Sequence, residues 1–255
     1  MAERKRMLIT GAAGAIGSAL RRHLKDRYDF RLLFHRTIPE DLDPKDEVVV
    51  SDISNFEAMV EACDGVDVIA HLAIFNRWKA MPLSQLAQLT FDVDMKGTYN
   101  IFEAARINKV ETVVFASTNH VTGMNEENGI QSHPDAPVRP DGIYGAGKAF
   151  AEALGRFYVD QHGLRVFCLR IANFNGLDEP GRYYESGQSR WLSPRDMAQL
   201  TWRCVEAKEL KWGIFYGVSQ SGEEKWDLGN AYELLGYEPE DDGAAKFHQS
   251  KYEKR

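Results

Sequence analysis

Residues Thr10-Gly11-Ala12-Ala13-Gly14-Ala15-Ile16-Gly17 constrain this chain more than any other stretch. They follow a short apolar run, Met7-Leu8-Ile9, and open an amphipathic segment from Ser18 to Lys25. That order predicts a strand, a tight turn and a helix. Bare backbone at Gly11 and Gly14 lets a pyrophosphate approach the first amides of the helix, and Gly17 lets the helix pack close to the strand. A glycine-rich turn holding no ligand has the same pattern, so the choice rests on the remainder of the chain.

The 255 residues suffice for one substantial core, and 44% hydrophobic with 27% charged residues is ordinary for a globular chain. A formal net charge of −7 argues against a broad basic field for nucleic acid. Cys63, Cys168 and Cys204 are scattered, with neither metal-ligand spacing nor a disulfide framework, and are read as small core residues in a reducing compartment. Arg4-Lys5-Arg6 before the first apolar run imitates a signal peptide, but the run breaks at once into glycines. No metal, no membrane and a cytoplasmic location are the expectations.

Phe30–Phe34, Val48–Val50, Asp67–Ala73, Glu111–Ala116 and Leu164–Arg170 read as further strands, alternating with segments of helical length. The fold class expected is α/β, a doubly wound parallel (Rossmann) sheet with its ligand at the strand C-termini. A helix is expected over Asn55–Ala62, a long one from about Leu83 to Ile107, and another from Tyr144 to Gln161. Ser193 and Pro194 mark a further helix start, and Gly213–Val218 is a strand candidate. Residues 1–173 are read as the cofactor-binding and catalytic core, and 174–255 as a small substrate-capping region integrated with it.

Tyr144 and Lys148 stand one helical turn apart, so both can face one site. An adjacent ammonium favours the phenolate, which makes Tyr144 a proton acceptor or donor. Thr118 closes the fifth strand on the same edge as the glycine turn, where its hydroxyl can hold a substrate oxygen; a turn-capping role suits it equally.

Gly11-x-x-Gly14-x-x-Gly17, Thr118 and Tyr144-x-x-x-Lys148, in that order, resemble the short-chain dehydrogenase/reductase superfamily. Asp52, His71-Leu72-Ala73 and Leu169-Arg170-Ile171-Ala172-Asn173 resemble its extended branch, the NAD-dependent epimerase/dehydratase family. Phe115–His120 and Pro137–Gly145 are similar to uronate dehydrogenases and archaeal-type glucose-6-phosphate dehydrogenases. The resemblance implies oxidation of a cyclic sugar (a hexuronate or hexose phosphate) at C1 to a lactone, with hydride passing to a nicotinamide. Tyr144 would be the base, Lys148 its partner and a ribose ligand, and Thr118 the group orienting the hydroxyl. Gly11, Gly14, Ala15, Ile16, Gly17, Asp52, Ile53, Leu72 and Ala73 would join them in holding the cofactor. Asn76, Asn119, Asn173 and Arg182 would contact substrate, and Arg182, Arg190 and Arg195 offer cations for a carboxylate or phosphate; solvated loop positions are the other reading for these arginines. A homodimer through the two long helices is implied as well.

Two departures stand out. The second strand ends Phe34-His35-Arg36 with no acid until Glu40, so NADP is expected in preference to NAD, with His35 and Arg36 reading the 2′-phosphate. Asp94 stands where the family often has Asn, adding negative charge near the site. Two other functions fit the pattern: a nucleotide-sugar epimerase or dehydratase with tightly held cofactor, and a catalytically silent NADP-binding regulator.

Overall fold

The computed structural model describes residues 4–75, 81–180, 191–220 and 225–247. Its centre is a seven-stranded sheet: β1 (Arg6–Thr10), β2 (Asp29–Phe34), β3 (Glu47–Val50), β4 (Val68–His71), β5 (Thr112–Thr118), β6 (Arg165–Ile171) and β7 (Trp212–Gly217). All neighbours pair parallel, in the order β3-β2-β1-β4-β5-β6-β7. The order reverses between β1 and β4, and a parallel sheet opens a ligand crevice at the strand C-termini there.

Helices cover both faces. On one side Met7, Ile9, Val68, Ala70, Val114, Phe167 and Leu169 meet α1 (Ala15–Leu24), α7 (Pro194–Glu206) and α8 (Gly229–Leu235). On the other Leu8, Ile69, Val113, Phe115, Val166 and Cys168 meet α2 (Phe56–Ala62), α4 (Lys96–Ile107) and α6 (Ile143–His162). This alternation is the period of two that a strand imposes, and both sets are apolar because both faces are covered. All three cysteines are buried and free.

Two sequence expectations change. Asn55 is the N-cap of α2, its side chain accepting from the Ala58 amide, and not the first helical residue. The long helix is divided: α3 (Leu83–Leu89) passes through a π-helical stretch, Thr90–Met95, into α4. Gly147 of α6 abuts the Thr90 methyl there, a Cβ at that glycine falling 2.7 Å from Thr90 Cγ2. The wide turn carries Asp94 inward until 8% of it is exposed. Within the stretch read as a cap integrated with the core, α7 packs on α1 and β7 completes the sheet. Ser193 does cap α7, accepting from the Asp196 amide.

Candidate functional site

β1 hands the chain to α1 through the glycine turn. Gly11 has a φ of +68°, and a Cβ there would lie 2.9 Å from Ala73 Cα, so only glycine lets the turn pass against the end of β4. At Gly17 a Cβ would fall 2.7 Å from Ala12 Cα, which fixes the close seat of α1 on the turn. The first amides of α1, at Ala15, Ile16 and Gly17, lack intrahelical acceptors, and no acidic side chain occupies that turn. Free amides at the positive end of a ten-residue helix make an anion site suited to a pyrophosphate.

A cleft of about 440 Å³ runs from this turn between Gly11, Leu33, His35, Arg36, Asp52, Ile53 and Ala73. Backbone and spacing therefore fit an adenosine diphosphate moiety, and the residues expected to hold one lie together. Past β6, Gly176 (φ +74°) crosses the start of α1, its hypothetical Cβ 3.1 Å from that of Ala15.

Behind the crevice lies His71, whose task the sequence does not show. His71 is 1% exposed, with Nδ1 2.8 Å from Thr10 Oγ1 and Nε2 3.1 Å from Thr98 Oγ1. Thr10 Oγ1 already accepts from the amides of Leu72 (3.0 Å) and Ala73 (3.1 Å), so its single hydrogen goes to Nδ1. Nε2–H then donates to Thr98, which fixes a neutral tautomer and, through it, Leu72 and Ala73 on the crevice side of β4. Burial, and then the charge of Lys148, push the imidazole pKa down to about 3. An unfolded histidine titrates near 6.5, so between these values the unfolded state binds the extra proton and stability falls as pH falls. From pH 6.5 to pH 5 the loss attributable to His71 is on the order of 2 kcal/mol. Denaturant melts at pH 7 and pH 5 should show a smaller difference in His71→Gln than in the unaltered chain; equal differences would assign the effect elsewhere.

At the end of β5, Thr118 is 4% exposed and accepts from the His120 amide at 3.3 Å. Its strand neighbour across β6 is Ile171, so Asn173 emerges on the same edge two residues later. Tyr144 lies in the first turn of α6 and Lys148 one turn on. The Lys148 ammonium donates to the Ala116 carbonyl at 2.6 Å, over the ring of Phe115 (4.5 Å), and stands 5.8 Å from the centroid of the Tyr144 ring. One lysine thus joins α6 to the end of β5, and Thr118, Tyr144 and Lys148 share one edge of the sheet.

Asn119 is 5% exposed, with its amide nitrogen donating to both oxygens of Glu126 (3.1 and 3.3 Å), which also accepts from Trp226 Nε1 (2.8 Å). Asp94 does not stand as a bare charge: Oδ1 accepts from the Phe75 amide at 2.8 Å, fixing the segment beyond β4. Beside the cleft, His35 Nε2 lies 3.3 Å from Asp52 Oδ2. Burial opposes ionisation of Asp52, but hydrogen bonds from Ser54 and the charges of His35 and Arg36 outweigh it and hold the carboxyl below its usual range. An acid therefore does reach the end of β2, from the neighbouring strand, and it engages His35; Arg36 is exposed.

Asn76, Arg182 and Arg190 lie outside the described residues. Arg195 does not join the site: its guanidinium pairs with the carboxylate of Asp241 at the N-terminal end of α7. Ser117, missed in the sequence, donates to Glu152 Oε1 (2.5 Å), and Glu152 grips Arg170 in a two-point pair (3.0 and 2.9 Å) directly behind Thr118. The signal was there: Glu152 continues the spacing of four from Tyr144 and Lys148 on an otherwise apolar helix face. Among the described residues no group of His, Cys, Asp and Glu is gathered to hold a metal, and no helix is long and apolar enough to cross a membrane.

Comparison with known proteins adds to this geometry. The model of the NAD dependent epimerase/dehydratase family matches residues 7–232. An NAD-dependent glucose-6-phosphate dehydrogenase of Haloferax volcanii is 35% identical, over 93% of this chain and 94% of that protein. An L-arabinose 1-dehydrogenase (NAD(P)(+)) of the same organism is 33% identical over 94% of this chain and 98% of its own length. Among solved structures, a mutant uronate dehydrogenase from Agrobacterium tumefaciens complexed with NAD superposes with a TM-score of 0.82 at 29% identity, covering 99% of this chain and 91% of that one.

Proposed function

Because this chain belongs to the NAD dependent epimerase/dehydratase family, we propose that it is a nicotinamide-dependent sugar dehydrogenase that oxidises a cyclic hexuronate or hexose phosphate at C1 to the lactone. The observation that carries this reading is the shared edge of Thr118, Tyr144 and Lys148, beside the crevice at the ends of β1 and β4. The likeness to sugar dehydrogenases over more than nine-tenths of the chain supports oxidation of a sugar.

A bound nicotinamide supplies the hydride acceptor. The chain does the rest. The first amides of α1 hold the pyrophosphate. Thr118 donates to the sugar C1 oxygen and fixes its orientation. Tyr144 takes the C1 hydroxyl proton, with the Lys148 ammonium favouring the phenolate. Asn119, with its nitrogen committed to Glu126, offers its carbonyl oxygen to a sugar hydroxyl, and Asn173 flanks it. Asn76 and Arg182 complete the substrate contacts in this reading. A screen of hexuronates, hexose phosphates and free aldoses with both cofactors, read as net cofactor reduction, tests the proposal. Copurified cofactor that never exchanges, with no net reduction on any sugar, would instead favour an epimerase.

NADP is proposed over NAD. Asp52 engages His35, so reading of a 2′-phosphate falls mainly to Arg36, which is exposed on the cleft. A charge-assisted hydrogen bond is worth about 1.5–3 kcal/mol, so Arg36→Asp should lower kcat/KM for NADP by about 10- to 100-fold and raise the relative use of NAD. An unchanged cofactor ratio would sink this assignment. Exposed Leu83, Phe91, Tyr99, Phe150 and Phe157 on the two long helical segments support a homodimer; sedimentation showing only monomer would overturn it.

A further inference from the structure

We propose that His120 is a positioning residue for Tyr144, held in its task by Asp141; the proposal rests on the reading of Tyr144 as proton acceptor. The problem it solves is local. Tyr144 sits in the first turn of α6, and the N-cap there is Gly142, with no side-chain hydrogen bond to secure the turn. Helix ends fray, so a phenol needed in one place relative to Thr118 requires an outside restraint.

The restraint comes from the 3₁₀ turn Asn119–Thr122, which follows Thr118 directly. The backbone of that turn pairs with the approach to α6: the Arg139 amide donates to Val121 O at 3.0 Å, and the Met124 amide to Arg139 O at 3.1 Å. At Gly145 the two segments touch so closely that a Cβ would lie 2.3 Å from the His120 carbonyl oxygen. His120 adds the side-chain link. Its Nδ1–H donates to Asp141 Oδ2 at 2.7 Å, three residues before Tyr144, and its ring meets that of Tyr144 edge-on at 6.0 Å and 61°. Gly123 leaves the space for the carboxylate, since a Cβ there would fall 2.2 Å from Asp141 Oδ2.

One imidazole therefore spans the uncapped turn, tied at one end to Asp141 and resting at the other on the phenol ring. Because its backbone is only two residues from Thr118, it sets Tyr144 relative to the group that would hold the sugar oxygen. Edge-on aromatic contacts are weak but directional, which suits an orienting part. A misplacement of about 1 Å at a reacting group can cost about 10²-fold in rate.

The test combines turnover with a direct view of Tyr144. Protein labelled with ¹³C at tyrosine Cζ gives a Tyr144 resonance, assigned by its absence in Tyr144→Phe. In His120→Ala that resonance should shift and broaden, and kcat should fall by up to about 10²-fold with the sugar KM little changed. Asp141→Asn, whose amide oxygen still accepts from Nδ1–H, should keep more turnover than Asp141→Ala. An unmoved resonance in His120→Ala overturns the proposal whatever happens to kcat, as does an unchanged kcat when the resonance moves. Retained turnover in Tyr144→Phe would fail the proton-acceptor reading instead, and the resonance would still report whether His120 holds the ring.

Discussion

Tyr144→Phe is expected to lower kcat by about 10²–10⁴-fold, the range contributed by a positioned acid or base, while the cofactor binds as before. The change removes one oxygen from a half-buried ring and keeps its bulk. Lys148 retains its bond to the Ala116 carbonyl, so the junction between α6 and β5 stays in place. The free amides at the start of α1 are untouched. What disappears is the group proposed to take a proton beside Thr118. Steady-state turnover together with cofactor titration separates the two quantities. If turnover persists with normal cofactor binding, another group accepts the proton. Loss of cofactor binding would show that the phenol serves the nucleotide and not the sugar.

Glu152→Ala should be strongly destabilising. Arg170 is 1% exposed and Glu152 4%, and their two-point pair is the centre of a buried network. Ser117 donates to Glu152; Arg170 donates to the Pro134 carbonyl (3.2 Å) and to the Tyr216 hydroxyl (3.3 Å); Tyr216 meets Thr122 at 2.6 Å. Removing the carboxylate leaves a buried guanidinium without its counter-charge, which costs about 3–5 kcal/mol. At about 2–4 °C per kcal/mol for a chain near this size, Tm should fall by about 6–20 °C. The double variant Glu152→Leu with Arg170→Met should recover part of that loss, because a packed apolar pair replaces both charges together. Calorimetry on the three proteins decides. A Glu152→Ala melt close to that of the parent would mean that water enters and solvates Arg170. The network also adjoins the candidate site, since Ser117 is adjacent to Thr118 and Glu152 shares a helix with Tyr144 and Lys148.

Much of this was legible in the chain because it is local. The glycine turn shows in seven residues, the strands in short apolar runs, and Tyr144 with Lys148 in a spacing of four. What was not legible depends on strands that are neighbours in space but distant in sequence. His71 acquires its task only when β1 and β4 pair and α4 brings Thr98 alongside. Asp52 reaches His35 only because β3 lies beside β2 with its end in register. The π turn at Thr90–Met95 lies against Gly147 of another helix, and a periodicity of 3.6 does not announce it. Arg195 read as a substrate cation because its partner, Asp241, is 46 residues away.

The crevice itself hangs on one atom. Thr10 Oγ1 accepts from two consecutive amides and gives its hydrogen to an imidazole that is shut away from water. Valine has nearly the same shape, so its substitution would leave no cavity and disturb no packing. It would nevertheless strand two amides and a ring nitrogen at once, at the point where the sheet reverses its order. For this fold the isosteric exchange is the severe one, and serine, smaller by a methyl group but still bearing the oxygen, the mild one.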